Sequence, residues 1–257
     1  MNASQTSRPP QPTAPPVAVI TGASRGLGLE LARALAADGW QLVLTARDPV
    51  DLGAAEAELA AATTVVALAG SVVDDDHRAR LAQAAADLGG AALLVNNAST
   101  LAGHDLAGAA LPRLADIPLS GLLETFEVNV LAPIALTQLV LPQLREHAGA
   151  VLALSSDAAV EAYEGWGAYG ASKAALDHAC AVLAAEEPGL RVWAVDPGDM
   201  RTRMHQEAFP GEDISDRPLP RTVVPALLAL LRSRPASGRY RAAGLLATAG
   251  AADGARR

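Results

Sequence analysis

The sequence predicts a doubly wound α/β fold, in which helices cover both faces of a parallel β-sheet. Short apolar segments alternate with longer helical patterns along the chain, as they do when crossover helices join parallel strands. The apolar segments are continuous rather than alternating, which is typical of strands buried on both faces. A glycine-rich turn follows the first segment and opens a helix, which is the arrangement at the first crossover of such folds.

The composition narrows the class of protein. The chain has 257 residues, 51% of them hydrophobic, and a net charge of −8 at pH 7. A chain of this length and hydrophobic content is enough for one α/β domain. The negative net charge argues against nucleic acid or an anionic membrane as the main partner. The single cysteine, Cys180, excludes an internal disulfide and suits a reducing compartment. We therefore predict a cytoplasmic protein, and no apolar stretch reaches the ~18 uncharged residues of a membrane span.

We predict a single domain between two unstructured ends. Residues 1–16 are rich in proline, serine and threonine, and we expect a disordered lead-in without the apolar run of a signal peptide. Residues 17–248 form the predicted catalytic domain. The glycine- and alanine-rich residues 249–257 are expected to be a flexible tail.

The first strand and the turn after it predict a phosphate-binding site. Residues 17–20 are a continuous apolar run, residues 21–28 read TGASRGLG, and residues 29–37 have a helical pattern. Glycines in this context let the backbone turn tightly and let a pyrophosphate approach the helix N-terminus. The spacing is Gly-x-x-x-Gly-x-Gly rather than the commoner Gly-x-Gly-x-x-Gly.

The end of the second predicted strand, residues 41–46, bears on the choice of cofactor. A dinucleotide fold places here either an acid for the ribose 2′-hydroxyl or an arginine for a 2′-phosphate. Arg47 occupies the position, and Arg25 in the glycine turn adds a second positive charge. Asp48 is the alternative as a ribose acid, although Asp48-Pro49 also matches a helix N-cap. We favour NADP over NAD.

The remaining elements continue the alternation. Further strands are predicted at 64–69, 91–95, 150–154 and 191–195, with a possible edge strand at 238–243. Helices are predicted at 75–88, 120–147, 169–186 and 223–231, with Pro133 a kink or break in the longest. Asn129 lies in an apolar stretch of that helix and needs a partner if it is buried. Residues 199–221 interrupt the pattern; we interpret them as a substrate lid, the alternative being a surface excursion.

Tyr169 and Lys173 are the strongest catalytic candidates. They stand four residues apart at the start of a predicted helix, so they share one face of it. A lysine ammonium close to a phenol favours the phenolate, and we therefore expect the pKa of Tyr169 to be lowered. A tyrosine of this kind can exchange a proton near neutral pH.

Taken together, these motifs resemble the short-chain dehydrogenases/reductases over about residues 17–245. The shared motifs are TGASRGLG at 21–28, NNAS at 96–99, Asn129, Ser156, Tyr169 with Lys173, and Pro197-Gly198-x-x-x-Thr202. The Gly-Trp-Gly before the tyrosine and Glu186-Glu187-Pro188 after the helix are similar to the sepiapterin reductase branch, which includes benzil reductases. The resemblance implies a Rossmann-type sheet of about seven parallel strands in the order 3-2-1-4-5-6-7. It also implies NADPH-dependent reduction of a ketone or vicinal diketone.

The resemblance also implies residue roles. Tyr169 would protonate the carbonyl oxygen, Lys173 would lower the pKa of that tyrosine, and Ser156 would bond the substrate oxygen. Asn129 would hold a water that relays protons to Lys173. The implied NADP(H) contacts are Gly22, Ser24, Arg25, Gly26, Leu27, Gly28, Arg47, Ser71, Val72, Asn97, Ala98, Tyr169, Lys173, Pro197, Gly198, Met200 and Thr202. The expected substrate pocket is Ser156, Tyr163, Trp166, Tyr169, Met204 and Phe209. No metal is expected.

Some positions depart from the family pattern. Ser71 replaces an acid or amide near the adenine, which predicts a weaker contact there, and Ser99 replaces the glycine of the usual NNAG. Ala242 stands where sepiapterin reductases carry an aspartate for the pterin ring, so we expect better activity on apolar vicinal diketones than on sepiapterin. The alternatives are a sepiapterin-type pteridine reductase and a non-catalytic dinucleotide-binding protein. Relatives pair through the helices at 120–147 and 169–186, which predicts a homodimer or homotetramer.

Overall fold

The computed structural model describes residues 14–101 and 111–245. Most of the predicted lead-in and the whole of the predicted tail lie outside the described residues. Seven strands form one parallel sheet in the order β3-β2-β1-β4-β5-β6-β7, which confirms the predicted fold class. The strands are β1 (Val17–Thr21), β2 (Gln41–Ala46), β3 (Val65–Ala69), β4 (Ala91–Asn96), β5 (Ala150–Leu154), β6 (Arg191–Asp196) and β7 (Gly238–Arg241).

The helices cover both faces of this sheet. They are α1 (Gly26–Ala37), α2 (Pro49–Leu59), α3 (Asp75–Asp87), α4 (Leu119–Phe126), α5 (Ala132–Glu146), α6 (Gly167–Glu186), α7 (Arg203–Ala208) and α8 (Val224–Ser233). One buried cluster joins the sheet to α1 and α8, with Leu31 and Leu227 among its members. A second cluster joins the opposite face to α3, α5 and α6, with Leu81, Leu136 and Leu176. The central strands β1, β4, β5 and β6 are therefore buried on both sides, as their sequences predict, whereas β3 at the edge of the sheet is only partly buried.

The strand order places the functional residues at one edge of the sheet. Strand β1 pairs with β2 on one side and with β4 on the other, so the order of connection reverses between β1 and β4. Ligands of doubly wound sheets bind beyond the carboxyl ends of the strands at such a switch point. The glycine turn follows β1, Asn97 follows β4, and Ser155 follows β5, which brings these segments to the same edge.

A π-helical segment, Glu127–Leu131, interrupts the long predicted helix between α4 and α5. The backbone N–H of Ala132 bonds the carbonyl of Glu127, which is the wider spacing of a π-helix. Pro133 follows immediately and offers no N–H to the carbonyl of Asn129. The predicted break near Pro133 is confirmed, and the structure adds that Asn129 lies inside the widened turn.

One helical stretch among the described residues, Leu119–Glu146, is long and apolar enough to cross a membrane by length and composition. One third of the most apolar 18 residues of this stretch is buried inside the domain. The stretch packs against α3, β4 and α6, so part of its apolar surface serves the core. Leu119, Leu123 and Leu131 remain exposed on its outer side.

Candidate active site

The glycine turn after β1 forms a close-fitting cradle. Gly22 and Gly26 have φ angles of +66° and +59°, a region that favours glycine. A side-chain carbon on Gly28 would collide with the carbonyl oxygen of Gly22 and the amide nitrogen of Asn97. Helix α1 begins at Gly26, so its free N–H groups lie at this turn, where they can bind a phosphate.

Asn97 holds the glycine turn in place. Its amide nitrogen donates to the carbonyl oxygens of Thr21 and Gly22 at 2.8 and 3.0 Å. The Thr21 hydroxyl in turn accepts hydrogen bonds from the backbone N–H groups of Asn97 and Ala98, both at 3.0 Å. Asn97 and Ala98 therefore lie beside the glycine turn, and Asn97 shapes that turn directly. Their predicted place beside the ribose and adenine stays a prediction.

The residues that bear on NADP preference lie on the exposed edge beyond β2. Arg47 is exposed at the end of that strand. Arg25 is exposed in the glycine turn and lies 3.4 Å from the carboxylate of Asp51. Asp48 caps helix α2, because its side chain accepts from the N–H groups of Val50 and Asp51 at 2.8 and 3.3 Å. The carboxylate of Asp48 therefore serves α2, which weakens the alternative that it is a ribose acid.

The predicted adenine side is built by the segment after β3. The Ser71 hydroxyl accepts from the backbone N–H of Val73 at 3.3 Å, so it stabilises its own turn. The carbonyl of Val72 accepts from the guanidinium of Arg78 at 2.6 Å. Ser71 and Val72 thus belong to a turn that is fixed from both sides.

The segment after β6 closes the opposite end of the cradle. Gly198 has a φ of +75°, and its N–H donates to Asp196 at 2.9 Å. Thr202 caps helix α7 by accepting from the N–H of His205 at 3.1 Å. The Thr202 methyl group lies 3.9 Å from the side-chain position of Gly26. The predicted nicotinamide-side residues therefore face the glycine turn. Pro197 belongs to this segment, and Met200 packs against the core beneath it.

Asn129 is fully buried, and its side chain has partners on every side. Its oxygen accepts from the Ser99 hydroxyl at 3.0 Å and from the N–H of Thr100 at 2.8 Å. Its nitrogen donates to the carbonyl of Thr100 at 2.8 Å and to the hydroxyl of Ser172 at 2.9 Å. The partner that the sequence requires for Asn129 is thus present, and Ser99 uses its hydroxyl here. The side-chain amide ties the segment after β4 to α6, and Pro133 offers no N–H to the backbone carbonyl of Asn129.

Tyr169 and Lys173 are buried side by side on helix α6, with 9% and 2% of their surface exposed. The Lys173 ammonium donates to the carbonyl of Leu154 at 2.7 Å and lies 5.5 Å from the centre of the Tyr169 ring. Lys173 is also the only lysine of the chain. The predicted shared helical face is therefore present, and strand β5 anchors its lysine.

The expected lowering of the Tyr169 pKa is wrong for this arrangement. Burial raises the pKa of Tyr169 above its ordinary value, an interaction with Ser156 opposes that rise, and Asp157, Asp196 and Asp177 add to it. Burial also lowers the pKa of Lys173 to about 8, against the effect of Asp177. Desolvation disfavours the charged form of both groups and is the largest effect on each pKa.

Ser156 stands beside Tyr169 but donates its hydroxyl hydrogen elsewhere. The Ser156 hydroxyl donates to the carboxylate of Asp157 at 2.9 Å and accepts from the N–H of Ala158 at 3.2 Å. The second oxygen of Asp157 accepts from the hydroxyl of Tyr163 at 3.0 Å. To donate to a substrate oxygen, the Ser156 hydroxyl must therefore turn away from Asp157.

Part of the predicted substrate pocket forms an apolar cluster. Trp166 meets the edge of Tyr169 with 5.6 Å between ring centres, and it lies 5.9 Å from Phe209. Met204 packs against the same cluster. The predicted lid segment contributes α7, so its apolar residues reach Tyr169. Tyr163 does not join this cluster, because its hydroxyl is bonded to Asp157 and its ring is exposed.

Two cavities flank the site in the described part of the chain. The larger, about 830 Å³, is lined by residues 113–116, 158–167 and the outer face of the first turns of α6. The smaller, about 430 Å³, is lined by Asp157, Glu161, Tyr163, Asp196, Pro197, Gly198, Arg241, Ala242 and Ala243. We assign greater weight to the smaller cavity, because its lining includes Asp157, which bonds Ser156, and the predicted nicotinamide-side residues Pro197 and Gly198.

Sequence reasoning missed a charged cluster behind the catalytic candidates. Arg239 on β7 donates to the carboxylate of Asp177 at 2.9 Å and to the backbone carbonyl of Ser156 at 2.7 Å. The Ser155 hydroxyl also donates to Asp177, at 2.8 Å. Asp177 stands four residues beyond Lys173 in the sequence, so the helical spacing was a usable signal. The partner on β7 had no such signal.

Comparisons with known proteins show the family to which the chain belongs and agree with the fold. The model of the short chain dehydrogenase family matches residues 16–213. The chain is 35% identical to a sepiapterin reductase from Meriones unguiculatus over 219 residues, which cover 75% of this chain and 77% of that protein. It is 31% identical over 201 residues to the benzil reductase ((S)-benzoin forming) IRC24 of Saccharomyces cerevisiae, with 74% of each chain covered.

A comparison with solved structures also finds short chain dehydrogenases. A short chain dehydrogenase from Escherichia coli CFT073, solved in complex with NADPH, superposes with a TM-score of 0.78 at 28% identity. The alignment covers 89% of this chain and 97% of that one. The reversal of strand order and the glycine turn beside it are those of a dinucleotide-binding fold, and the names of the relatives are those of oxidoreductases. The chain belongs to the short-chain dehydrogenase family.

Proposed function

We propose that this protein is an NADPH-dependent carbonyl reductase that converts a ketone or a vicinal diketone to an alcohol. The burial of Tyr169 and Lys173 on one face of α6, beside Ser156, carries the proposal. A protein that merely bound a dinucleotide would have no use for a buried lysine next to a buried phenol, because each is costly to bury.

The residues around the glycine turn fit a dinucleotide. The space beside Gly28 is closed to any side chain, and the first N–H groups of α1 lie beside it, so a pyrophosphate is the group that suits this cradle. Arg25 and Arg47 supply the positive charge that a 2′-phosphate requires. When bound, NADPH would supply a hydride to the substrate carbon.

The protein's own part in the reaction is to supply a proton and to stabilise charge. Because burial raises the pKa of Tyr169, its phenol stays protonated at neutral pH and can donate to the carbonyl oxygen. Ser156 would bond the same oxygen as negative charge develops on it. Lys173, whose pKa is about 8, is charged at neutral pH and would stabilise the tyrosinate. A water on the backbone carbonyl of Asn129 would return the proton by way of Lys173.

The substrate is proposed to be apolar on the side that faces α7. Trp166, Met204 and Phe209 offer an apolar surface next to Tyr169. Two of the three carboxylates that line the smaller cavity already accept hydrogen bonds: Asp157 from Ser156 and Tyr163, and Asp196 from Gly198. The third, Glu161, is exposed to water. A pterin ring needs acceptors that are still available, and a site lacking them loses orders of magnitude in kcat/KM.

Steady-state kinetics with NADPH and either benzil or sepiapterin tests the substrate proposal. We expect a higher kcat/KM for benzil, and we expect Phe209→Ala to lower it for benzil more than for sepiapterin. A clear preference for sepiapterin would favour the alternative of a pteridine reductase, to which the similarity with sepiapterin reductases also points. Binding of NADPH without turnover of any carbonyl compound would favour the non-catalytic alternative.

The assembly is proposed to be a homodimer or a homotetramer in the cytoplasm. Exposed leucines follow the outer side of α4 and the π-helical segment, and Val182 on α6 is also partly exposed. These helices are the ones through which the family resemblance predicts pairing. No nucleic acid or membrane partner is proposed.

A further inference from the structure

The segment that carries Ser156 is held at three successive residues by charged side chains. Lys173 bonds the carbonyl of Leu154 at 2.7 Å. The hydroxyl of Ser155 donates to Asp177 at 2.8 Å. Arg239 bonds the carbonyl of Ser156 at 2.7 Å. The end of β5 is therefore fixed by α6 from one side and by β7 from the other.

Arg239 and Asp177 form one unit within this arrangement. The Nε of Arg239 donates to Asp177 at 2.9 Å, while an Nη of the same guanidinium reaches Ser156. Asp177 is largely buried, with 13% of its side chain exposed, and Arg239 is 26% exposed. A planar guanidinium with several fixed donors can bridge two acceptors in this way, which an ammonium cannot do as well.

The position of Asp177 links this pair to the proposed chemistry. Tyr169, Lys173 and Asp177 follow one another at intervals of four residues, so they lie along one face of α6. Lys173 is influenced by Asp177 and Cys180 on the same helix, and Tyr169 by Asp157 after β5, Asp196 on β6 and Asp177. Arg239 on β7 pairs with Asp177. Arg239 also approaches Asp196 at 3.7 Å.

We propose that Asp177 and Arg239 are positioning residues, which hold the Ser155-Ser156 backbone so that the Ser156 hydroxyl stands beside Tyr169. The inference rests on the proposed function, because it assigns its effect to the step in which Ser156 and Tyr169 meet the carbonyl oxygen. Arg239 and Asp177 do not touch the substrate in this account. They hold the Ser155-Ser156 backbone in place, and they set the charge beside Lys173.

The test compares Arg239→Gln and Asp177→Asn with Arg145→Gln, using benzil and NADPH. Arg145 on α5 is a matched control, because its guanidinium also donates to a carboxylate, that of Glu187 at the far end of α6, at 3.0 Å. We expect both variants at the Asp177–Arg239 pair to lower kcat about tenfold or more, since small misplacements of catalytic groups cost this much. The KM and the dissociation constant of NADPH should stay within about twofold of wild type if the cofactor cradle is undisturbed. Arg145→Gln should leave kcat near wild type.

A spectroscopic readout separates positioning from a general loss of stability. Because Lys173 is the only lysine, isotopic labelling of lysine gives one side-chain signal whose titration reports this site. Arg239→Gln removes the partner of Asp177, so the midpoint of that titration should rise; Asp177→Asn should lower it. Arg145→Gln should leave it unchanged.

The outcomes distinguish this inference from the proposed function. If Arg239→Gln folds and loses no more kcat than Arg145→Gln, the inference is overturned. If Arg239→Gln does not fold, the isosteric Asp177→Asn decides, and an unchanged kcat in that variant overturns the inference equally. Tyr169→Phe is assayed alongside. Full turnover in Tyr169→Phe would remove the proposed function itself, whereas its inactivity together with a normal Arg239→Gln would remove only the positioning role.

Discussion

Burial governs the two residues on which the proposed mechanism depends. Tyr169 and Lys173 both lose water contact on α6, and each is pushed toward its neutral form. A neutral phenol is the form that donates a proton, so the raised pKa of Tyr169 suits reduction of a carbonyl. The lysine remains charged below its pKa of about 8. At neutral pH the pair therefore combines a proton donor with a positive charge.

Titration of Lys173 gives a direct check of this electrostatic account. With lysine labelled on its side chain, the single signal should titrate near pH 8 rather than near the ordinary lysine value of 10.5. Between these two values the unfolded chain binds more protons at this lysine than the folded one. Lys173 should therefore make the free energy of unfolding rise by about 1 kcal/mol per pH unit between about pH 8 and 9. Above about pH 9 buried Cys180, whose pKa is raised to about 12, opposes this rise, so the test is confined to about pH 8–9. A midpoint near the ordinary value, with no such rise, would mean that Lys173 is well solvated.

A second prediction for a single residue concerns nucleotide binding by Arg47. If it binds the 2′-phosphate, Arg47→Ala should weaken NADPH binding by about 1.5–3 kcal/mol, the scale of a charge-assisted hydrogen bond. NADH binding should hardly change. Fluorescence titration with both nucleotides measures this, and Arg33→Ala on α1, whose guanidinium pairs with Glu58, is the control for the lost charge. Equal losses for NADPH and NADH would assign Arg47 a structural role.

At the level of elements, the ends of strands carry the site. The carboxyl ends of β1, β4, β5 and β6 each continue into a segment that bends over the same edge of the sheet. Those segments were predictable, because parallel strands joined by crossovers must share that edge. The break before α5 was predictable from Pro133 as well. Its π-helical form was not, since proline fixes where a helix is disturbed but not how the chain accommodates the disturbance.

Contacts between distant elements explain what the sequence could not predict. Arg239 and Asp177 are 62 residues apart, and no periodicity relates a residue on an edge strand to one on a helix. The carboxylate of Asp157 was equally hidden, because its bond to Ser156 depends on the turn after β5. The pKa of Tyr169 was mispredicted for a related reason: spacing on a helix reveals a neighbouring charge but not the depth of burial.

The cap of α2 provides a prediction at this scale. Asp48→Ala removes the acceptor of two backbone N–H groups, so the protein should lose about 1 kcal/mol of stability. The dissociation constants of NADH and NADPH should both stay unchanged, because the carboxylate serves the helix. Chemical denaturation and nucleotide titration measure the two effects. A selective loss of NADH binding would instead restore Asp48 as the ribose acid.

The whole molecule is proposed to bury its remaining apolar surface by self-association. Leu119, Leu123 and Leu131 are each more than half exposed, and they lie along one helical stretch. Leu123→Glu combined with Leu131→Glu should convert the protein to monomers in light scattering, because charged groups cannot be buried there cheaply. Val50→Glu on α2, where the valine is 78% exposed, is the control and should leave the assembly intact. A wild-type protein that stays monomeric at all concentrations would contradict this proposal.

Tyr169→Phe tests the central claim most directly, because the change removes one hydroxyl and keeps the buried ring. The measurement is turnover of benzil with NADPH, paired with an NADPH binding titration on the same sample. Tyr240→Phe is the control, since the hydroxyl of Tyr240 bonds the carbonyl of Ala236 away from the site. We predict that Tyr169→Phe binds NADPH normally and loses at least about 10²-fold in turnover, the usual contribution of an acid–base group. Near-normal turnover in Tyr169→Phe, equal to that of Tyr240→Phe, would contradict the mechanism.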